Sequence, residues 1–385
     1  FCFILIRKTM KTYGFFLMFV MGLITVSCNQ TSGSIQEIGD VNVDVDHLSG
    51  VSDFFDSYSY VILRTPSDSP LGTISHIDID EEHIVACSRG DVHVYKRDGQ
   101  IVSVFSHVGQ GPEEYMDISD IHLVDGNVNL LSCQTKKIYV YEPDGTFVES
   151  YPLADYYTAF CPADGGFWLA SETSNNSGYE FSFYDKDKKE SVESCMPFDR
   201  NESFTPSQFR PFISDTADDI LVVRQFDNSV YSLRKGDGIK TVWRYNFNTP
   251  MQLSDLDRDL PYAKLFEETS NKPVIKYPGI AYVSGSQVYQ TLSVFFKLGY
   301  FPYVYKFDMS RQDQDGKTLR IGLESFEDFP YLRTPPVLIY DGNYVSLMES
   351  FNVLSIERSL GTTEFSSKGL TEESSQVLFF HHFKH

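Results

Sequence analysis

The 385-residue chain carries 53 Asp and Glu against 32 Lys and Arg, a formal charge of −21. That balance repels phosphate backbones and argues against nucleic acid as a partner. Apolar residues make up 42%, with 31 Phe and 24 Tyr, enough for a large core whose aromatic load favours strands.

Residues 1–9 read as translated sequence upstream of a start at Met10. Lys11 then supplies a positive n-region, residues 15–24 an apolar h-region, and Thr25-Val26-Ser27-Cys28 a cleavage site. The apolar run is too short for a transmembrane helix. Ile24 ahead of Ser27-Cys28 resembles a bacterial lipobox, in which the cysteine becomes a lipidated N-terminus. Thr25 stands where an aliphatic residue is usual, and simple secretion is the alternative. The polar run 29–36 has the composition of a flexible tether. Three segments follow: 1–27 as upstream sequence and leader, 28–56 as lipidated Cys28 and tether, and 57–385 as the folded body. Cys87, Cys133, Cys161 and Cys195 lack zinc or Cys-x-x-Cys spacing and read as free thiols, with Cys87 and Cys133 in apolar strand patterns.

Residues 58–64 form an apolar strand ending at Thr65-Pro66. Strands at 74–80, 83–87, 91–96 and 100–105 follow, separated by turn residues. Four short antiparallel strands in so small a stretch are the content of one β-propeller blade. The next set lies at 120–125, 127–133, 137–141 and 147–151. Val92-His-Val-Tyr95-Lys-Arg-Asp98-Gly99-Gln-Ile-Val102 and Ile138-Tyr-Val-Tyr141-Glu-Pro-Asp144-Gly145-Thr-Phe-Val148 match in class at nearly every position. Their offset is 46 residues (138 minus 92), and each places an Asp-Gly turn between two strands.

A looser third repeat spans 158–197 and a fourth 208–247. Two short helices are expected at 249–260 and 263–269, with Thr249 as cap, Pro250 in the opening turn and Pro261 as terminator. Strands resume at 279–283, 287–296, 303–307 and 317–323, then at 337–340, 344–348, 353–356 and 376–383. Third-strand cores at Val92, Ile138, Phe181, Val230, Val304 and Val353 are separated by 46, 43, 49, 74 and 49 residues, and the long interval holds the helices. The expected fold is therefore all-β: a six-bladed propeller of four-stranded antiparallel blades, with a short helical insertion between blades four and five. Pairing of 58–64 with 376–383 closes the ring and protects its edges.

Between the first two repeats lies Gly109-Gln-Gly111-Pro112-Glu-Glu114-Tyr115. The glycines permit positive φ, Pro112 stiffens the turn, and Glu114 can accept backbone N–H bonds. A phosphate loop is disfavoured because no helix follows and Glu113 and Glu114 repel an anion. With the strand pattern of 138–145, this connector resembles the NHL-type repeat, and more specifically the NHL- or TolB-like six-bladed propeller lipoproteins common in Bacteroidetes. In that family a strand like 60–65 precedes a stretch like Leu71-Gly-Thr-Ile74, and the last strand is like 377–380. Glu113 departs from the glycine usual there. The resemblance spans about residues 57 to 383 and implies fold and envelope location rather than an activity.

First strands of propeller blades line the channel, and in blades one and two they carry His76, Asp78, Asp120 and His122. Alignment places His76 opposite Asp120 and Asp78 near His122. Such a set can bind a divalent metal or act as acid and base, but also reads as channel side chains bonded to one another. Arg210, Arg224 and Arg333 near strand ends read either as a carboxylate-binding patch or as partners of abundant acids. The aromatic run 295–303 suits a stacking platform or blade packing. His381, His382 and His385 read as exposed. No hydrolase, zinc-protease, Walker or EF-hand motif occurs, and no cofactor or metal is expected. Two functions remain. One is an envelope-anchored monomer, held by its lipid alone, that binds a protein, saccharide or peptide. The other is a propeller hydrolase or lyase acting on a saccharide or peptide at the channel mouth.

Overall fold

The computed structural model describes residues 37–66, 69–171, 175–198, 210–215, 220–224, 227–248, 264, 267, 274–296, 299–311, 316–322, 327–372 and 376–384. Cys28 and the leader lie outside these, as does the expected helical insertion apart from Lys264 and Glu267, which are helical.

The strands form six sheets. Blade one holds β3 (His76–Ile79), β4 (His83–Ser88), β5 (Asp91–Lys96) and β6 (Ile101–Phe105). Blade two holds β7 (Asp120–Val124), β8 (Asn127–Ser132), β9 (Lys137–Tyr141) and β10 (Phe147–Pro152). Blade three holds β11 (Ala159–Ala163), β12 (Gly166–Ala170), β13 (Tyr179–Asp185) and β14 (Glu190–Pro197). Blade four holds β15 (Phe212–Asp215), β16 (Ile220–Val223), β17 (Ser229–Arg234) and β18 (Gly238–Phe247). Blade five holds β19 (Val274–Ser284), β20 (Gln287–Phe296), β21 (Gly299–Asp308) and β22 (Lys317–Arg320). Blade six combines β23 (Pro336–Tyr340), β24 (Asn343–Met348) and β25 (Val377–Phe383) with β2 (Phe55–Ile62). The innermost strands touch in order from β3 through β7, β11, β15, β19 and β23 and back to β3, so the ring is closed.

Closure is the expected one. β2 pairs antiparallel with β25, from Phe55 opposite Phe383 to Ile62 opposite Val377. The stretch before it also joins the propeller. β1 (Gly39–Val43) adds to blade four as a fifth strand, parallel to β18, so part of the segment read as tether is sheet.

One strand expectation fails. Residues 353–356 lie within helix α1 (Ser350–Leu360), and β25 and β2 complete blade six instead. Val353-Leu-Ser-Ile356 is a short mostly apolar run that suits a strand, but buried Ser350, Val353, Leu354 and Glu357 fall at helical spacing. Gly361, in the left-handed region, ends the helix.

Middle strands pack against a neighbouring blade on both faces. In β4 every residue after His83 is buried, whereas inner strand β3 alternates half-buried and buried residues. One cluster joins blades one and two through Val85, Val94, Phe105, Val128 and Tyr141, and another joins blades six and one through Leu63, Ile77, Tyr95, Val345 and Leu378. Apolar burial of this kind is the main force holding the blades together.

The two matching turns show why their glycines are required. Asp98 Oδ1 accepts the Gln100 N–H at 2.9 Å, and Asp144 Oδ1 accepts that of Thr146 at 2.8 Å. Gly99 and Gly145 have φ of 82° and 91°. A Cβ on Gly99 would lie 2.1 Å from the Ile62 carbonyl oxygen of β2, and one on Gly145 would lie 2.7 Å from the Phe105 ring of β6. Each turn is thus pressed against the outermost strand of the preceding blade.

Candidate functional site

The inner aspartates of blades one and two act on the next blade along. Asp78 on β3 accepts the Leu123 N–H of β7 through Oδ2 at 2.8 Å. Asp120 on β7 accepts the Phe160 N–H of β11 through Oδ2 at 3.0 Å. His122 lies between them, with Nδ1 3.4 Å from Asp78 Oδ2 and Nε2 3.6 Å from Asp120 Oδ2. The Phe160 ring meets its imidazole edge-on at 4.7 Å. Three strands are therefore laced together by side chains that alternate out of the sheet at period two.

Burial alone would lower the His122 pKa, but the Asp120 carboxylate and then Asp78 push it up to about 10. Burial would raise Asp120, but the imidazolium of His122, with His76 and Arg210 also contributing, holds it below its ordinary value. The pair is ionised at neutral pH. His76 behaves oppositely, its pKa lowered first by burial against the attraction of Asp120. Its Nδ1 lies 3.1 Å from Ser75 Oγ.

The expected pairing of Asp78 with His122 is present, and His76 senses Asp120. Among the described residues no group of three or more His, Cys, Asp or Glu is disposed to hold a metal ion. Both His122 nitrogens face carboxylates, which favours the doubly protonated ring over a metal ligand.

The three arginines have separate partners. Arg210, ahead of β15, donates from Nη1 to the Val337 carbonyl of β23 at 3.2 Å, and its charge reaches Asp120 and His76. It belongs to the same neighbourhood as the Asp78–His122–Asp120 staple that laces β3, β7 and β11 together. Arg224 grips Glu180 of blade three, with Nε 3.0 Å from each carboxylate oxygen. Arg333 Nε donates to the Pro330 carbonyl at 2.8 Å within its own turn.

The connector is structural. Glu114 accepts the Gly111 N–H at 2.7 Å, the Gly109 N–H meets the Tyr115 carbonyl at 2.9 Å, and Tyr115 is fully buried between blades one and two. The Pro112 carbonyl accepts Lys137 Nζ at 3.4 Å. Neither Gly109 nor Gly111 adopts positive φ. They are glycines because the Glu114 side chain occupies the space: a Cβ on Gly109 would lie 2.0 Å from its Oε2.

Cys87, Cys133 and Cys195 are free thiols, Cys161 lies buried with its Sγ 3.7 Å from the Pro162 carbonyl, and burial pushes the Cys87 thiol well up. Of the aromatic run, Tyr303 is buried in blade five, while the side chains of residues 295–301 lie outside the described set. His381 is not exposed. It lies buried in β25 with Nε2 3.2 Å from Ser346 Oγ, among the rings of Phe55, Tyr58, Tyr344 and Phe379. His382 is half-buried, and His385 lies outside the described residues. Reading the motifs missed the recipients of the staple, because a backbone N–H leaves no mark on residue type.

No curated protein matches the chain. A solved Bacteroides fragilis protein described as exported is 15% identical, with a TM-score of 0.65, over 90% of this chain and 99% of its own. A Bacteroides vulgatus protein of the DUF4221 family is 10% identical, with a TM-score of 0.50, over 86% of this chain and 97% of its own. Both likenesses are of fold. The model of the domain of unknown function DUF4934 matches residues 37–382, from just before β1 to the penultimate residue of β25, and the chain belongs to that family.

Proposed function

We propose that the chain is a non-catalytic binding scaffold of the bacterial cell envelope, held at the outer membrane by a lipid on Cys28 and acting as a monomer. The observation that carries the scaffold reading is the use made of Asp78 and Asp120. A general base needs a lone pair for the substrate's proton. These carboxylates commit Oδ2 to the backbone of adjacent blades and to a protonated His122, and Asp120 Oδ1 accepts the Ile121 N–H as well. The same groups would have to serve a hydrolase or lyase, so the geometry favours rigidity over turnover. Kinship with NHL- or TolB-like lipoproteins belongs to this proposal. The leader pattern ending at Cys28 and the description of the B. fragilis neighbour as exported support the envelope location.

The test is expression of the full chain in a Bacteroides host with radioactive palmitate. Label on the wild type and none on Cys28→Ala is expected, with the variant leaving the membrane fraction. Label retained by the variant overturns the anchor. Hydrolysis of chromogenic glycosides or peptides by the pure protein, abolished in His122→Gln, overturns the scaffold reading.

A further inference from the structure

In blade four the outermost strand of the propeller pattern is not the edge of its sheet. β1 lies parallel along β18, from Gly39 opposite Trp243 to Val43 opposite Phe247, and the Ile38 N–H donates to the Val242 carbonyl at 2.8 Å. That carbonyl belongs to a bulge. β17 and β18 pair at Tyr231 with Thr241 and again at Val230 with Trp243, leaving Val242 as the extra residue. In this sheet, with β1 seated, Val242 is 1% exposed.

The same bulge, filled by the same residue type, recurs in the outer strands of blades one, two and three. Val102 falls between the pairs Tyr95 with Ile101 and Val94 with Ser103. Val148 falls between Phe147 with Tyr141 and Glu149 with Val140. Val192 falls between Tyr184 with Ser191 and Phe183 with Glu193. These three valines are 40%, 45% and 39% exposed. Among the described residues β6, β10 and β14 end their sheets. Blade four is thus an occupied version of what blades two and three present along an edge with no strand beside it, next to an exposed aliphatic side chain, while the edge of blade one is met only at its start, where Arg64 bridges Gln100 in parallel.

Charge indicates the kind of occupant. β18 presents exposed Lys240 and Arg244, and Asp40 of β1 stands opposite Arg244. In β10 the residue following the bulged valine is exposed Glu149; in β14 it is half-buried Glu193, whose Oε2 accepts the Gly236 N–H at 2.9 Å, with exposed Glu190 nearby. A matching strand is aliphatic like β1, whose Val41 and Val43 are buried, but basic where β1 is acidic.

We propose that the outer edges of blades one to three, that of β10 foremost, receive an extended segment of a partner protein rich in aliphatic residues and Lys or Arg. The segment adds as a parallel strand, as β1 does on blade four. The proposal names the partner's chemistry for the scaffold reading, but it does not depend on the lipid anchor.

The test uses the purified full chain and two synthetic peptides. One has the sequence of residues 38–44, and the other carries Lys in place of Asp at positions 40 and 44. Amide hydrogen exchange is followed across residues 147–152. The basic peptide is expected to slow exchange there about tenfold or more, the acidic one to leave it unchanged. Val148→Asp, at an exposed position and with an unchanged thermal midpoint, is expected to abolish the protection. Absence of protection by the basic peptide overturns the proposal. So does equal protection by both peptides, or protection that survives Val148→Asp.

Discussion

Replacing His122 with Gln tests whether the staple between blades one, two and three holds the ring together. The imidazole stands between Asp78 and Asp120, and its pKa rises from the ordinary 6.5 to about 10. A raised pKa means the folded state holds the proton more tightly than the unfolded chain does. The stabilisation is therefore complete below about pH 6.5 and is lost as pH climbs through about 10. At about 1.4 kcal/mol per pKa unit the ceiling is roughly 5 kcal/mol. The side chain is 30% exposed, and solvent screening brings the expected value to about 2–3 kcal/mol. Urea unfolding, followed through buried Trp168 and Trp243, measures it at several pH values between about 6 and 10. The stability gap between wild type and H122Q should narrow by that amount as pH rises. Tyrosine ionisation is common to both proteins and cancels in the difference. A gap that stays constant across the range refutes the staple as an ionic device. Asp120 works in the other direction. Its lowered pKa contributes stability that is present above the ordinary carboxyl value and lost as pH falls through the folded one.

Two further substitutions probe the blade contacts. Gly99→Ala should cost about 3 kcal/mol or more and Gly145→Ala somewhat less, since one Cβ meets a backbone carbonyl and the other a ring that can shift. Gly126→Ala, at φ 77° with nothing within 4 Å, should cost only about 1 kcal/mol. Denaturant midpoints rank the three, and Gly99→Ala no worse than Gly126→Ala refutes the close-approach argument. Glu357→Ala should cost about 2–3 kcal/mol, because this buried carboxylate accepts the Phe365 N–H at 2.5 Å and the Ser366 N–H at 3.2 Å. Hydrogen exchange should quicken at residues 365–370 and stay unchanged in blade one. Equal change in both regions would make the loss global rather than that of a local cap.

The blade count was legible because hairpin chemistry is local. Asp98-Gly99 and Asp144-Gly145 announce their turns by residue type, and the 46-residue offset carries the pattern forward. Val353-Leu-Ser-Ile356 misled because four residues can satisfy both periods. The wider window tells helix from strand: Ser350, Val353, Leu354 and Glu357 fall at helical spacing, and Gly361 ends the helix. The His–Asp set was visible as a cluster, but its role was not. Residue types that suit a metal or a proton relay also suit a clasp, and the Leu123 and Phe160 amides that decide the matter have no side-chain signature. His381 was hidden by its place near the last residues, where exposure is the ordinary expectation. β1 escaped notice because five residues with two buried valines look like linker until β18 lies beside them.

The pairing of β2 with β25 sets an order of events. Phe55 and Phe383 are neighbours in one sheet, yet β2 leaves the ribosome ahead of every other strand of the six blades except β1 on blade four, and β25 leaves after them all. Blades one to five can assemble as they emerge, but β2 waits with one edge bare until nearly the whole ring has been made. A contact this distant in the chain makes the final step slow and leaves an aggregation-prone edge in the meantime. A chain that stops short of β25 would thus be an open ring with two sticky ends, so synthesis must run to completion before the wheel can turn into a single cooperative unit.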